Sequence, residues 1–189
     1  MRKLVSFMHV SLDGFVAGPK GEMNWIKIDE PMFDMAAEHT DVADTAIYGR
    51  VTWELMHSYW PTAGAKPNAS RHDKEHSAWY NKVEKFVASR TLKTAPDPTI
   101  SIISHDFTDK VQEIKNRPGA EIIMFGSPGA SHALMRENLI DEYWIFVNPI
   151  LLGAGIPLFK DINEVIKLDL IESKAFSNGV VCLHYKTRF

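Results

Sequence analysis

The chain has 189 residues, 45% of them hydrophobic and 24% charged, and a formal net charge of −3. That length supports one domain with a sizeable core. The charge excludes a basic field for nucleic acid, and no stretch approaches the ~20 apolar residues of a membrane span. The single cysteine, Cys182, excludes an intramolecular disulfide and fits a reducing cytoplasm; it sits in the apolar run GVVCLHY and reads as a small core residue. The opening MRKLVSFMHV lacks the cleavage region of a signal peptide.

KLVSFMHVSL reads as a first strand, followed by a loop, DGFVAGPKGEMNW, with three glycines and a proline. PMFDMAAEHTDVAD, 31–44, predicts a helix. TAIYG is a short buried strand, and TWELMHSYW a short helix closed by Pro61. After a polar loop, HDKEHSAWYNKV predicts a charged helix. EKFVAS and PTISIIS are strands, and DFTDKVQEIKNR is a helix stopped by Pro118 and Gly119. AEIIMFG, SPGASHALMREN and DEYWIFVNPIL read as strand, helix and strand. The last 25 residues read as two strands turned at Ser177-Asn178-Gly179. Alternating strands and helices predict a mixed, mostly parallel sheet covered on both faces, ending in an antiparallel hairpin. No linker divides residues 1–189, which read as a single domain.

Ligands of open α/β sheets sit beyond the carboxyl ends of the strands. Three junctions there carry suitable residues. In YGRVT, Gly49 lets a backbone approach, the helix start offers free N–H groups, Thr52 adds a hydroxyl and Arg50 a cation for phosphate. A glycine turn beside an exposed arginine explains the same residues. In FGSPGAS, Pro128 suits a first helical turn, Ser127 can cap, and Gly126 and Gly129 clear the approach. Two glycines exceed what a cap requires, so this is a candidate pyrophosphate seat, although it is neither a P-loop nor G-x-G-x-x-G. In ASRT, Ser89, Arg90 and Thr91 follow a strand directly. Together they suggest a dinucleotide across the strand ends, and two arginines near an adenosine ribose favour NADP over NAD.

YGRVTWE resembles the G-R-x-T-W-E segment of dihydrofolate reductases. SLDGFVAG and DEYWIFVNPILLGAGIPLF resemble the reductase domain of the bifunctional riboflavin-biosynthesis deaminase/reductase. The matching order spans nearly the whole chain, which is identified as a stand-alone member of the dihydrofolate reductase-like superfamily without a deaminase domain. The resemblance implies a three-layer α/β/α fold, NADPH as cofactor, and a small-molecule substrate of pteridine or pyrimidine type, such as 5-amino-6-(5-phosphoribosylamino)uracil. It carries phosphate contacts onto Gly49, Arg50, Thr52, Gly126, Ser127, Gly129 and Ala130. It puts Ser89 and Arg90 at the 2′-phosphate, and the backbone of Met8, His9 and Val10 near the nicotinamide. It also implies a homodimer, as in the riboflavin-type relatives. Two positions depart from the pattern. Phe125 stands where riboflavin-type reductases carry an acid, and NWIKIDEP matches the dihydrofolate reductase acid site poorly.

Hydride transfer is largely orientation, and a C=N acceptor also needs a proton. The candidate acids are Asp13, Asp29 and Glu30. Asp13 is favoured through the S-L-D-G match, against a turn-stabilising role; Glu30 is weighed against an exposed helix start. Trp25 is a candidate pocket wall, against plain core. GAGIP, 153–157, reads equally as a substrate loop or a tight turn. HDKEH fits the H-x-x-E-H zinc pattern, but a solvated helix face is the preferred reading and no metal is expected. A second class remains open: a non-catalytic nucleotide-binding or assembly module.

Overall fold

The computed structural model describes residues 1–95 and 97–188. β1 (Leu4–Ser11), β3 (Ala43–Gly49), β4 (Glu84–Ala88), β5 (Ile100–Ile103), β6 (Glu121–Phe125) and β7 (Glu142–Asn148) run parallel. β10 (Val181–Thr187) pairs antiparallel with both β7 and β9 (Leu168–Ala175). The sheet order is β5-β4-β3-β6-β1-β7-β10-β9. This is the mixed, mostly parallel sheet and closing hairpin that the alternation predicts.

Period-two side-chain alternation makes the sheet two-faced. Val5, Phe7, Tyr48, Ile123, Phe125 and Phe146 point to one core. Leu4, Met8, Ile47, Ile122, Met124 and Ile145 point to the other. The first face is covered by α1 (Glu30–Thr40), α2 (Arg50–Ala63) and α3 (Arg71–Lys82), the second by α4 (Phe107–Asn116) and α5 (Pro128–Arg136). Burying each Ile or Phe contributes about 1.5–3 kcal/mol, so double coverage is where the stability resides.

Two boundaries differ from expectation. The helix predicted over 31–44 ends at Thr40, whose hydroxyl donates to the Ala37 carbonyl (3.2 Å). Ala43 instead pairs with Glu121 in the sheet, so parallel pairing outcompetes the helical propensity of 41–44. The helix predicted to close at Pro61 continues to Ala63. A proline in the last turn removes one bond, and packing of α2 on α3 compensates. In the other direction, two stretches read as loops form a small antiparallel sheet, β2 (Phe15–Ala17) with β8 (Ile156–Pro157). Gly155 makes this possible, since a Cβ there would overlap the Ala17 carbonyl oxygen. This glycine therefore serves a close strand approach rather than a tight turn, and Ile156 beside it lines the cleft at the carboxyl ends of the strands. The predicted hairpin turn forms at Gly179, with φ of 88°.

Candidate active site

The carboxyl ends of β5, β4, β3, β6 and β1 open onto a cleft of about 1100 Å³. Single-ligand sites run to roughly 300–1,000 Å³, so there is space for more than one small molecule.

At its centre, β3 and β6 lie side by side and each runs into a helix. Gly49 is the N-cap of α2 and Ser127 that of α5, and neither start has a side-chain cap or an acid in its first turn. α1 and α3 are finished differently: Asp29 caps one, Ser70 and Asp73 form a capping box on the other, and Glu30 and Asp73 add acid. The rim helices thus leave the first-turn amides of Val51, Thr52, Gly129 and Ala130 without intrahelical acceptors, beside two positive dipole ends. Gly126 (φ 62°) and Ser127 (φ 68°) are successive left-handed residues. For serine this costs about 1–2 kcal/mol, a strain that clusters at functional sites.

The glycines divide by role. A Cβ at Gly49 would overlap Ser127 Oγ, and one at Gly126 would lie 3.3 Å from Thr52 Cγ2. The two turns interlock through these positions, so the immediate reason for both glycines is close approach of protein to protein. A Cβ at Gly129 would meet nothing within 4 Å. Its missing side chain opens directly onto the cleft. An anionic pyrophosphate fits such a cradle of amides, glycine and positive dipole ends.

Farther along the rim, Ser89 and Arg90 follow β4. The Ser89 hydroxyl accepts from the amides of Thr91 (3.2 Å) and Leu92 (2.9 Å), shaping the turn that presents Arg90. Among the described residues Arg90 forms no ion pair, whereas Arg50 is held by both oxygens of Glu54 at 2.8 and 2.7 Å. Gly49, Arg50, Thr52, Ser89, Arg90, Gly126, Ser127, Gly129 and Ala130 therefore all line one cleft.

Five candidates stand elsewhere. Val10 is buried in the sheet beside Val147; its neighbours Met8 and His9 face the cleft instead. Asp13 lies outside the lining. It accepts from Ser11 Oγ (2.6 Å) and from the amides of Leu152 (3.1 Å) and Gly153 (2.7 Å). The Ser11 hydroxyl, then the Gly153 amide, hold its carboxyl below the usual carboxylate range. A group kept ionised in this way is poorly suited to donate a proton, and its geometry is that of a loop clasp. Glu30 is exposed at the start of α1 and does not line the cleft, while Asp29 caps that helix by accepting from the Met32 amide (3.2 Å). Trp25 donates to the Glu22 carbonyl (2.9 Å), and Met23, Ile26 and Ile28 of the same loop face the cleft in its place.

α3 forms the charged helix that HDKEHSAWYNKV predicts, but the solvated-face reading of HDKEH is corrected for its two histidines. His72 is half-buried and His76 buried, and both line the cleft, His72 stacked on Phe33 (3.8 Å between centroids) and His76 against Trp60 (4.0 Å). Their sequence signal was available: 72, 76, 80 and 83 form a helical stripe that continues into Tyr80 and Val83, both buried. Burial pushes the His76 imidazole down to about 3 and that of His9 to about 4. Both are neutral at physiological pH. Among the described residues no group of three or more His, Cys, Asp or Glu is placed to hold a metal ion.

Sheet order, helix placement and a rim cleft of this kind define a dihydrofolate reductase-like α/β domain. Dihydrofolate reductase of Enterococcus faecalis, solved with NADP(H), superposes with a TM-score of 0.63 at 12% identity, covering 99% of this chain and 97% of that one. The bifunctional diaminohydroxyphosphoribosylaminopyrimidine deaminase/5-amino-6-(5-phosphoribosylamino)uracil reductase of Thermotoga maritima superposes with a TM-score of 0.68 at 12% identity, covering 99% of this chain and 57% of that one. The family model for the RibD C-terminal domain matches residues 2–182, and the chain belongs to that family. Family and fold together point to a reductase-type domain. The Bacillus subtilis protein YyaP, known only as uncharacterized, is 30% identical over 97% of this chain and 94% of its own length.

Proposed function

We propose that the chain is an NADPH-dependent reductase that passes hydride to a pteridine- or pyrimidine-like ring. The observation that carries this is the pair of uncapped, acid-free helix starts interlocked at Gly49–Ser127 and Gly126–Thr52, with the open cradle at Gly129 between them and the far cleft. Family membership and the NADP(H) bound to the Enterococcus dihydrofolate reductase support the same cofactor. NADPH bound there would supply the hydride. The first-turn amides of α2 and α5 would hold its pyrophosphate, and Arg90 beside Ser89 its 2′-phosphate. Met8 and His9, in the C-terminal half of β1, line the cleft where the reacting rings would meet. Asp106, at the start of α4, is the one carboxylate among the described lining residues. A proton for a C=N acceptor therefore comes from solvent in the cleft.

Titration calorimetry tests this. Arg90→Ala should weaken NADPH by about tenfold or more, the worth of a charge-assisted bond, and leave NADH unchanged. Arg50→Ala, whose guanidinium is already satisfied by Glu54, should show the smaller loss. Equal losses for the two nucleotides would remove Arg90 from the 2′-phosphate. Tight NADPH binding without its oxidation by any pteridine or pyrimidine would leave a nucleotide-binding module.

A cytoplasmic homodimer belongs to the same reading. β9 is an edge strand with Leu170 and Ile171 each 55% exposed. Such an edge templates another strand, and a twofold covers both copies at once. Light scattering should give twice the chain mass, falling to one chain mass in Ile171→Lys; a monomeric parent would dismiss the dimer.

A further inference from the structure

The cleft has two ends of different chemistry. Its aromatic end is walled by Phe33, Trp60 and His72, and the Nε2 of His76 there is buried. At its strand end, β1 contributes Met8 and His9. His9 is half-buried, with its ring on that of Phe146 at 4.9 Å between centroids and 25° from parallel. Its Nδ1 lies 3.5 Å from the Nδ2 of Asn148 on β7.

Asn148 is fully buried, and its amide has one workable orientation. Oδ1 accepts from the Lys27 amide (2.9 Å), while Nδ2 donates to the carbonyls of Phe146 (3.1 Å) and Val10 (3.3 Å). The flipped amide would turn its oxygen onto two carbonyl oxygens and its hydrogens onto an N–H, losing every one of these bonds. The side of Asn148 that faces His9 is therefore its donor side. An Nδ1–H would point at the amide's own hydrogens, so Nδ1 carries the lone pair and the ring proton sits on Nε2. Burial holds this imidazole down to about 4, so the ring is neutral at physiological pH and only one nitrogen donates. No described residue accepts from His9 Nε2, and unlike that of His76 it is not buried. A fixed, uncommitted N–H is thus presented at the strand end of the cleft. Lys27 belongs to the segment whose Met23, Ile26 and Ile28 also line the cleft, so the seating of that segment and the orientation of Asn148 go together.

We propose that His9 is a catalytic residue whose Nε2–H donates a hydrogen bond to the heteroatom beside the hydride-accepting carbon, and that Asn148 is the positioning residue that fixes its tautomer. The catalytic role rests on the reductase reading; the tautomer does not. The step balances without a proton from His9. The C=N carbon gains hydride, the π pair moves to nitrogen, and a solvent proton completes the N–H as NADPH is oxidised to NADP⁺. A neutral donor aimed at the nitrogen where charge develops binds it more strongly in the transition state than before it.

The test uses 6-methyl-7,8-dihydropterin, a neutral C=N acceptor. In apo protein labelled with ¹⁵N-histidine, His9 should show a bare Nδ1 and a protonated Nε2. Saturation with NADP⁺ and the dihydropterin should shift Nε2 more than Nδ1. His9→Phe keeps a ring on Phe146 but removes the donor, whereas His9→Gln restores an N–H. Single-turnover NADPH oxidation should fall about a hundredfold in His9→Phe, the worth of one such donor, while dihydropterin affinity falls about tenfold or less. His9→Gln should recover much of the rate; a purely packing role predicts the opposite order, with phenylalanine the better substitute. A protonated Nδ1 in the apo protein, or a glutamine variant no faster than the phenylalanine one, overturns the role of His9 alone. Failure of NADPH to bind in calorimetry would overturn the reductase reading and this role with it.

Discussion

Gly129→Glu is expected to lower NADPH affinity at least a hundredfold while leaving the fold slightly more stable. The two effects have opposite signs because they have different origins. Gly129 occupies the first turn of α5, its Cβ position is open, and it is not among the positive-φ glycines. A side chain there meets no protein. Glutamate in a first turn is favoured by the helix dipole, worth about 0.3–1 kcal/mol. The same carboxylate stands in the cradle proposed for pyrophosphate. Two unit charges 4 Å apart interact by about 4 kcal/mol at an effective dielectric near 20, which is a factor of several hundred in affinity. Gly129→Ala separates sterics from charge and should cost much less. Calorimetry with NADPH and a thermal melt of each variant give both signs. Wild-type affinity in Gly129→Glu would remove the pyrophosphate from the α5 start.

Local chemistry made the rim legible. A glycine ending an apolar run, an uncapped helix start and an arginine or serine just past a strand are sequence-local features, and the sheet brings them to one edge because parallel strands share a direction. Gly49 and Gly126 were found this way. What the sequence did not disclose is that the two turns press on each other through Ser127 and Thr52, since β3 and β6 are adjacent only through a crossover. The aromatic end was hidden for a related reason. Charged Arg71, Asp73, Lys74 and Glu75 dominate the composition of α3, so its start reads as solvated, and the partner of His72 and His76 is Trp60 on another helix. Asp13 shows the opposite relation between motif and contact. Its motif match was local, but its use is long-range: it holds the amides of Leu152 and Gly153, some 140 residues away in sequence.

The neutral histidines that shape the cleft also make the fold sensitive to acid. An unfolded histidine titrates near 6.5. His9 and His76 titrate near 4 and 3 in the folded chain because burial disfavours their charged forms. His9 stacks on Phe146, and His76 is enclosed by Trp60, Trp79, Phe125 and the likewise depressed His72, so no facing carboxylate offsets the desolvation. The sign follows from linkage. Both groups have depressed folded values, so below pH 6.5 the unfolded chain binds protons that the folded chain refuses, and stability falls as pH falls. Full stability is present above pH 6.5. At pH 5 each histidine costs about 2 kcal/mol, so the pair costs about 4 kcal/mol, a large share of the 5–15 kcal/mol typical of a domain. Asp13 and Glu142 are held low in the folded chain, so their contributions are lost only at more acid pH and do not mask the effect. Guanidinium unfolding at pH 7 and pH 5 measures the difference directly, and His76→Phe should remove about half of it. A difference below about 1 kcal/mol in the wild type would show that water reaches both imidazoles, and with it that the aromatic end of the cleft is wetter than its packing implies.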